Sequence, residues 1–206
     1  PRDEIFVTTK IWNEDQGYDR TLIAFEESRK RLGLDVIDLL LIHWPGTDKF
    51  QDTWRAFEKL YKDGFVRAIG VSNFKVHHLK KLAETSSIVP AVNQVEYHPL
   101  LTQKELLAYA KQNGIQLEAW SPLMQGNLDQ PVLQELAAKY GKSVAQIILR
   151  WDIQSGVVTI PKSVTPSRIA ENGNLFDFSL SDEDMAKIDG LNQDHRFGSD
   201  PDKLLF

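Results

Sequence analysis

Six short apolar runs alternate with six or more segments whose apolar residues fall at helical spacing. The runs are Ile5 to Thr9, Val36 to Ile42, Val66 to Val71, Ala91 to Val95, Ile115 to Trp120 and Val157 to Ile160. Leu39 to Ile42 are continuously apolar, which suits a strand buried on both faces. Between the runs lies a helix pattern from about Tyr18 to Leu32, with Gly33 as its stop signal. Phe50, Trp54, Phe57, Leu60 and Tyr61 make a second pattern ended by Gly64, and Leu79 and Leu82 mark a short third one. Thr102-Gln-Lys-Glu105 and Ser143-Val-Ala-Gln146 read as capping boxes. Gly141 splits two neighbouring helices, Thr165-Pro166 opens another, and Ser181 caps the last. The tail from Asn192 reads as irregular.

Such alternation predicts an α/β fold, a parallel sheet wrapped by helices. No linker or composition break divides residues 1–206, so a single domain is expected. An open doubly wound sheet would announce a nucleotide site with G-x-G-x-x-G after its first strand, and the chain has no such motif. A (β/α)8 TIM barrel has eight units over roughly 250 residues. Six units are visible here, and the chain opens on Pro1 without an initiator Met. The expectation is an incomplete, N-terminally truncated barrel whose first two strands are absent.

Charge and composition narrow the function. The net charge is -5, with Lys and Arg spread along the chain, so nucleic acid is not an expected partner. There is no cysteine, which removes disulfides, thiolate metal sites and Cys nucleophiles and suits a reducing cytoplasm. No apolar run approaches the ~20 residues needed to span a bilayer, and no signal peptide is visible. A cytoplasmic protein without a membrane partner is expected.

Barrel enzymes place their chemistry at the carboxyl ends of the strands. Those ends carry Lys10 with Trp12; His43 with Trp44; Ser72 and Asn73; Gln94; Trp120 and Ser121; and Lys162 and Ser163 with Arg168. Ser72, Asn73 and Gln94 are neutral donors and acceptors, suited to fixing an amide. Trp120 offers a flat face for a heteroaromatic ring. Lys162 and Arg168 flank a helix start, where anions bind; an ordinary solvated pair is the alternative. An amide, a ring and a phosphate together describe a nicotinamide dinucleotide. His43 could be a satisfied core histidine, or a neutral donor to a carbonyl oxygen that gains charge as hydride arrives. Lys10 could lower the pKa of a neighbouring acid. Trp12 and Trp44 are either core aromatics or walls of an apolar substrate pocket.

Val7-Thr-Thr-Lys10, Leu41-Ile-His-Trp-Pro45, Ile69-Gly-Val-Ser-Asn-Phe74, Val92-Asn-Gln-Val-Glu-Tyr-His-Pro99, Ala119-Trp-Ser-Pro-Leu123 and Ile160-Pro-Lys-Ser163, with Arg168 and Glu171-Asn172, together resemble the aldo-keto reductases, in particular the bacterial members that reduce small aldehydes and ketones. The resemblance implies a (β/α)8 barrel, monomeric when full length, that reduces a small-molecule carbonyl substrate with NADPH and no metal. It implies Lys10 and His43 as the catalytic lysine and histidine, and Ser72, Asn73 and Gln94 as ligands of the carboxamide. Trp120, where the family commonly has Tyr, would stack on the nicotinamide. Ser121 and Leu123 would line the pyrophosphate path. Lys162, Ser163 and Arg168 would hold the 2′-phosphate, and Glu171 and Asn172 would lie near the adenine. Val164 is apolar where a phosphate contact is often polar, which softens the expected preference for NADP. The family's proton-donor Tyr and its Asp belong to a segment before Pro1, so the chain by itself is expected to lack activity.

Three rivals stand beside this. A class I aldolase would use Lys10 as a Schiff base, but leaves the amide, ring and phosphate groups unexplained. A nicotinamide-binding protein without turnover would keep them and lose the chemistry. A metal-dependent hydrolase would want carboxylates beside the strand-end histidines His43 and His98, and none is expected to end a strand there.

Overall fold

A computed structural model describes residues 1–46 and 48–204. Its strands are β1 Thr8–Ile11, β2 Ile37–Ile42, β3 Val66–Ser72, β4 Val92–Glu96, β5 Gln116–Trp120 and β6 Val158–Thr159. They form one sheet in chain order, parallel in the β1–β2, β2–β3, β3–β4 and β5–β6 pairs. The helices are α1 Tyr18–Leu32, α2 Phe50–Lys62, α3 Val76–Ala83, α4 Lys104–Gln112, α5 Pro131–Tyr140, α6 Val144–Gln154, α7 Pro166–Gly173 and α8 Asp182–Asp189. None is long and apolar enough to cross a membrane. The chain packs as two compact units. One comprises Pro1–Gln94, Glu105–Gln116 and the tail from Ser199; the other comprises Val95–Lys104 and Leu117–Gly198.

In the first unit every residue of β2 is buried. Its Leu and Ile side chains each contribute about 1.5–3 kcal/mol of transfer free energy. Phe50, Trp54, Phe57 and Leu60 form the buried stripe of α2, while Tyr61 lies on the exposed flank. Gly33 takes the left-handed conformation and closes α1, its N–H reaching the carbonyls of Arg29 and Lys30. Gly70 in β3 is there for space. A Cβ would lie 2.5 Å from the Val92 carbonyl oxygen and 2.8 Å from Leu41 Cδ2.

The first strand begins later than its composition suggests. Ile5 and Phe6 are 58% and 64% exposed, and β1 starts at Thr8. The cause is Asp38, a carboxylate at the head of β2 with 1% exposure. It accepts from Val7 N–H at 2.8 Å, Arg2 at 2.7 Å and Arg67 at 2.8 Å. The chain before β1 is therefore laid along a charge rather than into a core.

In the second unit Tyr97 stacks on Trp151, centroids 5.0 Å apart, and Trp151 Nε1 donates to Asp189. The Ser143–Gln146 capping box forms as the pattern requires. The Thr102–Glu105 box does not. Helix α4 starts at Lys104, and Thr102 Oγ1 is buried with no hydrogen-bond partner. Tertiary partners win here: Thr102 N–H goes to Asn192 and the Gln103 amide goes to the Glu96 carbonyl. Thr165 precedes Pro166 at the start of α7, but its side chain makes no capping bond.

Candidate active site

Parallel pairing places Lys10 of β1 opposite Leu41 of β2. The His43 N–H then continues the ladder to the Ile11 carbonyl at 3.1 Å. Lys10 and His43 thus leave adjacent strands one after the other. Both are half-buried. Burial, and next the charge of Lys10, push the His43 ring down to about 4, so it is neutral at pH 7. The Trp12 ring meets it edge-on, centroids 4.9 Å apart at 79°. Trp12 is exposed, whereas Trp44 is buried and its carbonyl accepts from Gln16 at 2.7 Å. Of the two tryptophans, Trp12 is the one that meets both the ring of His43 and solvent.

Ser72, Asn73 and Gln94 also come together in this unit. Ser72 Oγ donates to the Gln94 carbonyl at 2.7 Å, and Asn73 N–H reaches the same oxygen at 2.9 Å. Asn73 adopts φ 64°, a conformation that Asn tolerates better than most residues. That turn aims its amide at Ser72 Oγ and at the His43 carbonyl, 2.9 Å away. Sequence reasoning missed this brace. Its signal is an Asn directly after a buried strand, in the position where a chain must turn.

In the second unit, Ser121, Leu123, Lys162, Ser163, Arg168, Glu171 and Asn172 all line one cavity of about 650 Å³. The loop after β5 reaches it through positive φ at Ser121. Lys162, Ser163 and Arg168 reach it from the segment between β6 and the first turn of α7. Two cations, several hydroxyls and the N-terminus of α7 make a donor set that fits a phosphate. Leu123, Val144 and Ile160 add apolar wall, as a nucleotide's ring and sugar require. The wall is braced from behind: Ser143 Oγ donates to Glu171 at 2.6 Å, and the Gln146 amide donates to the carbonyls of Glu171 and Asn174. Val164 is 79% exposed and does not line the cavity.

Among the described residues, one cluster away from these sites has metal-ligand chemistry. His77, His78 and Asp202 offer ligand atoms within 4.8 Å of one another. The donor set does not suit a cation. His78 Nδ1 accepts the Lys75 N–H, so the neutral ring carries its proton on Nε2, the atom facing Asp202. Lys75 Nζ lies 2.6 Å from both Asp202 and Asp200. These are the contacts of an ion-pair latch holding the tail to the start of α3.

The family model "Aldo/keto reductase family" matches residues 1–193. A glyoxal reductase of Bacillus subtilis (strain 168) is 66% identical over the whole chain, which spans 75% of that protein. The crystal structure of an aldo-keto reductase from a Medee basin deep-sea metagenome library superposes with a TM-score of 0.96 at 50% identity, covering 100% of this chain and 78% of that one. A Bombyx mori aldo-keto reductase crystallised in complex with NADP gives a TM-score of 0.91 at 40% identity, covering 98% and 72%. The β/α alternation, the strand-end residues and these likenesses over essentially the whole sequence agree: the chain belongs to the aldo/keto reductase family.

Proposed function

We propose that this protein reduces small aldehydes and ketones to alcohols with NADPH. The observation that carries this is the convergence of Ser121, Leu123, Lys162, Ser163, Arg168, Glu171 and Asn172 on one cavity. Carbonyl and NADPH and a proton are converted to alcohol and NADP. When bound, the nicotinamide supplies hydride to the carbonyl carbon. The remaining roles belong to the protein. His43, neutral through burial and the Lys10 charge, donates a hydrogen bond to the carbonyl oxygen as negative charge develops there. Lys10 supplies positive charge that favours the ionised form of the acid. Trp12 and Trp44 wall the substrate side.

In the first unit Ser72, Asn73 and Gln94 serve the carboxamide. In the second, Trp120 serves as stacking face and Ser121 and Leu123 line the pyrophosphate path. Lys162, Ser163 and Arg168 hold the 2′-phosphate, and Glu171 and Asn172 flank the adenine. The proton comes from the family's Tyr–Asp pair. Tyr97 is not that donor, because it is buried in its stack on Trp151. Tyr18 lies under Arg55, Tyr109 under Lys80, and Tyr140 bonds Asp184. The six β/α units are read as units of a (β/α)8 barrel. Residues 1–206 are read as one domain, because the family match runs unbroken over residues 1–193 and takes in most of both compact units.

The test has two arms. NADPH is titrated into the chain by fluorescence, and glyoxal-dependent NADPH oxidation is followed with a polypeptide that carries the Tyr–Asp pair. Binding, together with turnover that Lys10→Met and His43→Gln each abolish, supports the proposal. Absence of binding overturns it. Binding without turnover assigns the chain to cofactor binding alone, and borohydride trapping of substrate on Lys10 assigns it to Schiff-base chemistry.

A further inference from the structure

We propose that Glu96 is a positioning residue for the Trp120 ring, acting through the main chain of Phe197 and Gly198. This rests on the reading of Trp120 as the stacking face for the nicotinamide. Against the expectation that no carboxylate ends a strand beside His98, β4 runs one residue further than its apolar run and ends on Glu96, whose side chain is fully buried. Oε1 accepts from Phe197 N–H at 2.7 Å and from Gly198 N–H at 3.3 Å, and Oε2 accepts from Gly198 N–H at 3.2 Å. The Nε2 of His98, another fully buried group, lies 3.1 Å from Oε1. Burial pushes the Glu96 carboxyl up. The His98 hydrogen bond and the two main-chain N–H groups outweigh that and hold it below its ordinary value. Hydrogen bonds to an ionised acceptor are among the stronger ones, so the segment 197–198 is firmly held.

What that segment touches is the Trp120 ring. A Cβ on Gly198 would run into Trp120 Cη2, and would also lie 3.2 Å from Cζ3 and from Glu96 Oε2. Gly198 is not among the residues of positive φ, so the glycine is needed for space and not for backbone freedom. Residue 198 therefore lies close against the six-membered-ring edge of the indole. The Tyr97 N–H, next to Glu96, faces the Trp120 carbonyl at 3.5 Å. Glu96 thus sits beside two of the supports of Trp120, the backbone pair at Tyr97 and the main chain of residue 198 against its ring edge. Loosening the carboxylate slackens residues 197–198, and a slackened segment removes one contact that limits the indole.

The experiment compares two ligands on Gly198→Ala, Glu96→Gln and Trp120→Ala. One is NADPH. The other is adenosine 2′,5′-bisphosphate, which has the adenine and the 2′-phosphate but no nicotinamide. Gly198→Ala and Glu96→Gln are expected to weaken NADPH by about threefold to tenfold, the size of one aromatic stacking contact, and to leave the bisphosphate unchanged. Equal weakening of both ligands would mean general structural damage and would overturn the proposal, as would no change in either. Trp120→Ala separates the two levels. If it leaves NADPH affinity intact, the stacking role of Trp120 fails. If it weakens NADPH while Gly198→Ala and Glu96→Gln do not, only the role of Glu96 fails. Gly198→Ala adds one methyl group to an irregular segment, so it keeps the test open should Glu96→Gln fold poorly.

Discussion

The side-chain amide of Asn73 donates to the main-chain carbonyl of His43 at 2.9 Å. A residue proposed for the cofactor thereby also holds the backbone that carries the proposed carbonyl donor. Asn73→Ala removes this bond and leaves a non-glycine residue at φ 64°. The expected cost is about 1–3 kcal/mol of stability. A further fall in kcat larger than the change in KM is expected, because the His43 ring loses its aim. Asn73→Gly relieves the backbone but not the hydrogen bond. It should recover stability and not kcat, in denaturant melts and steady-state kinetics.

The neutral state of His43 can be read directly by NMR titration of its ring, which should protonate near 4. Lys10→Met should move that midpoint upward by removing a positive neighbour. Between about 4 and the ordinary value of 6.5, the unfolded state binds more protons at this position than the folded state. The His43 contribution is therefore fully present above 6.5 and is lost as pH falls toward 4. A ring that titrates at or above its ordinary value would remove the basis for its proposed role.

At the head of β2 the sign follows from an acid. Asp38 is held down to about 2 by the Val7 N–H, Arg67 and Arg2, against the effect of its own burial. Its contribution is present above the ordinary 3.8 and is lost as pH falls toward 2. Asp38→Asn should destabilise by about 1–3 kcal/mol and flatten the acid limb of the stability curve. Urea melts across that range measure both effects.

Gly70→Ala is expected to cost about 1–3 kcal/mol or more, since the methyl meets a main-chain carbonyl that cannot move without shifting β4. A normal melting midpoint in this variant would show that the strands separate there more easily than the 2.5 Å approach indicates.

If Lys162 and Arg168 hold a 2′-phosphate, Arg168→Ala should weaken NADPH about tenfold to a hundredfold and leave NADH unchanged. The loss should shrink at high salt, because both cations are exposed. Equal effects on NADPH and NADH would move these residues away from the 2′ position.

Local chemistry made some of this legible. Helix α1 and its Gly33 stop, the stripe of α2 and the Ser143 cap all follow from short-range rules that the structure obeys. What could not be read depends on partners distant in sequence. The start of β1 is decided by Asp38, 30 residues on from Thr8, and the Thr102 cap is lost to Asn192, 90 residues away. The cavity residues were legible because strand ends and helix starts are local features. The brace from Asn73 to His43 was legible only at one end: an Asn after a buried strand is a local signal, but its partner follows from the register of two strands.

The Ser143–Gln146 cap also sets the order in which the cavity wall forms. Its hydroxyl and its amide are both bonded to α7, so the cavity wall bearing Glu171 and Asn172 is in place once α6 has folded. A ligand arriving there meets Glu171 and Asn172 on a wall that is already braced. Nucleotide association should then be a single concentration-dependent phase in stopped flow, with no slower isomerisation behind it. Ser143→Ala should introduce that second phase.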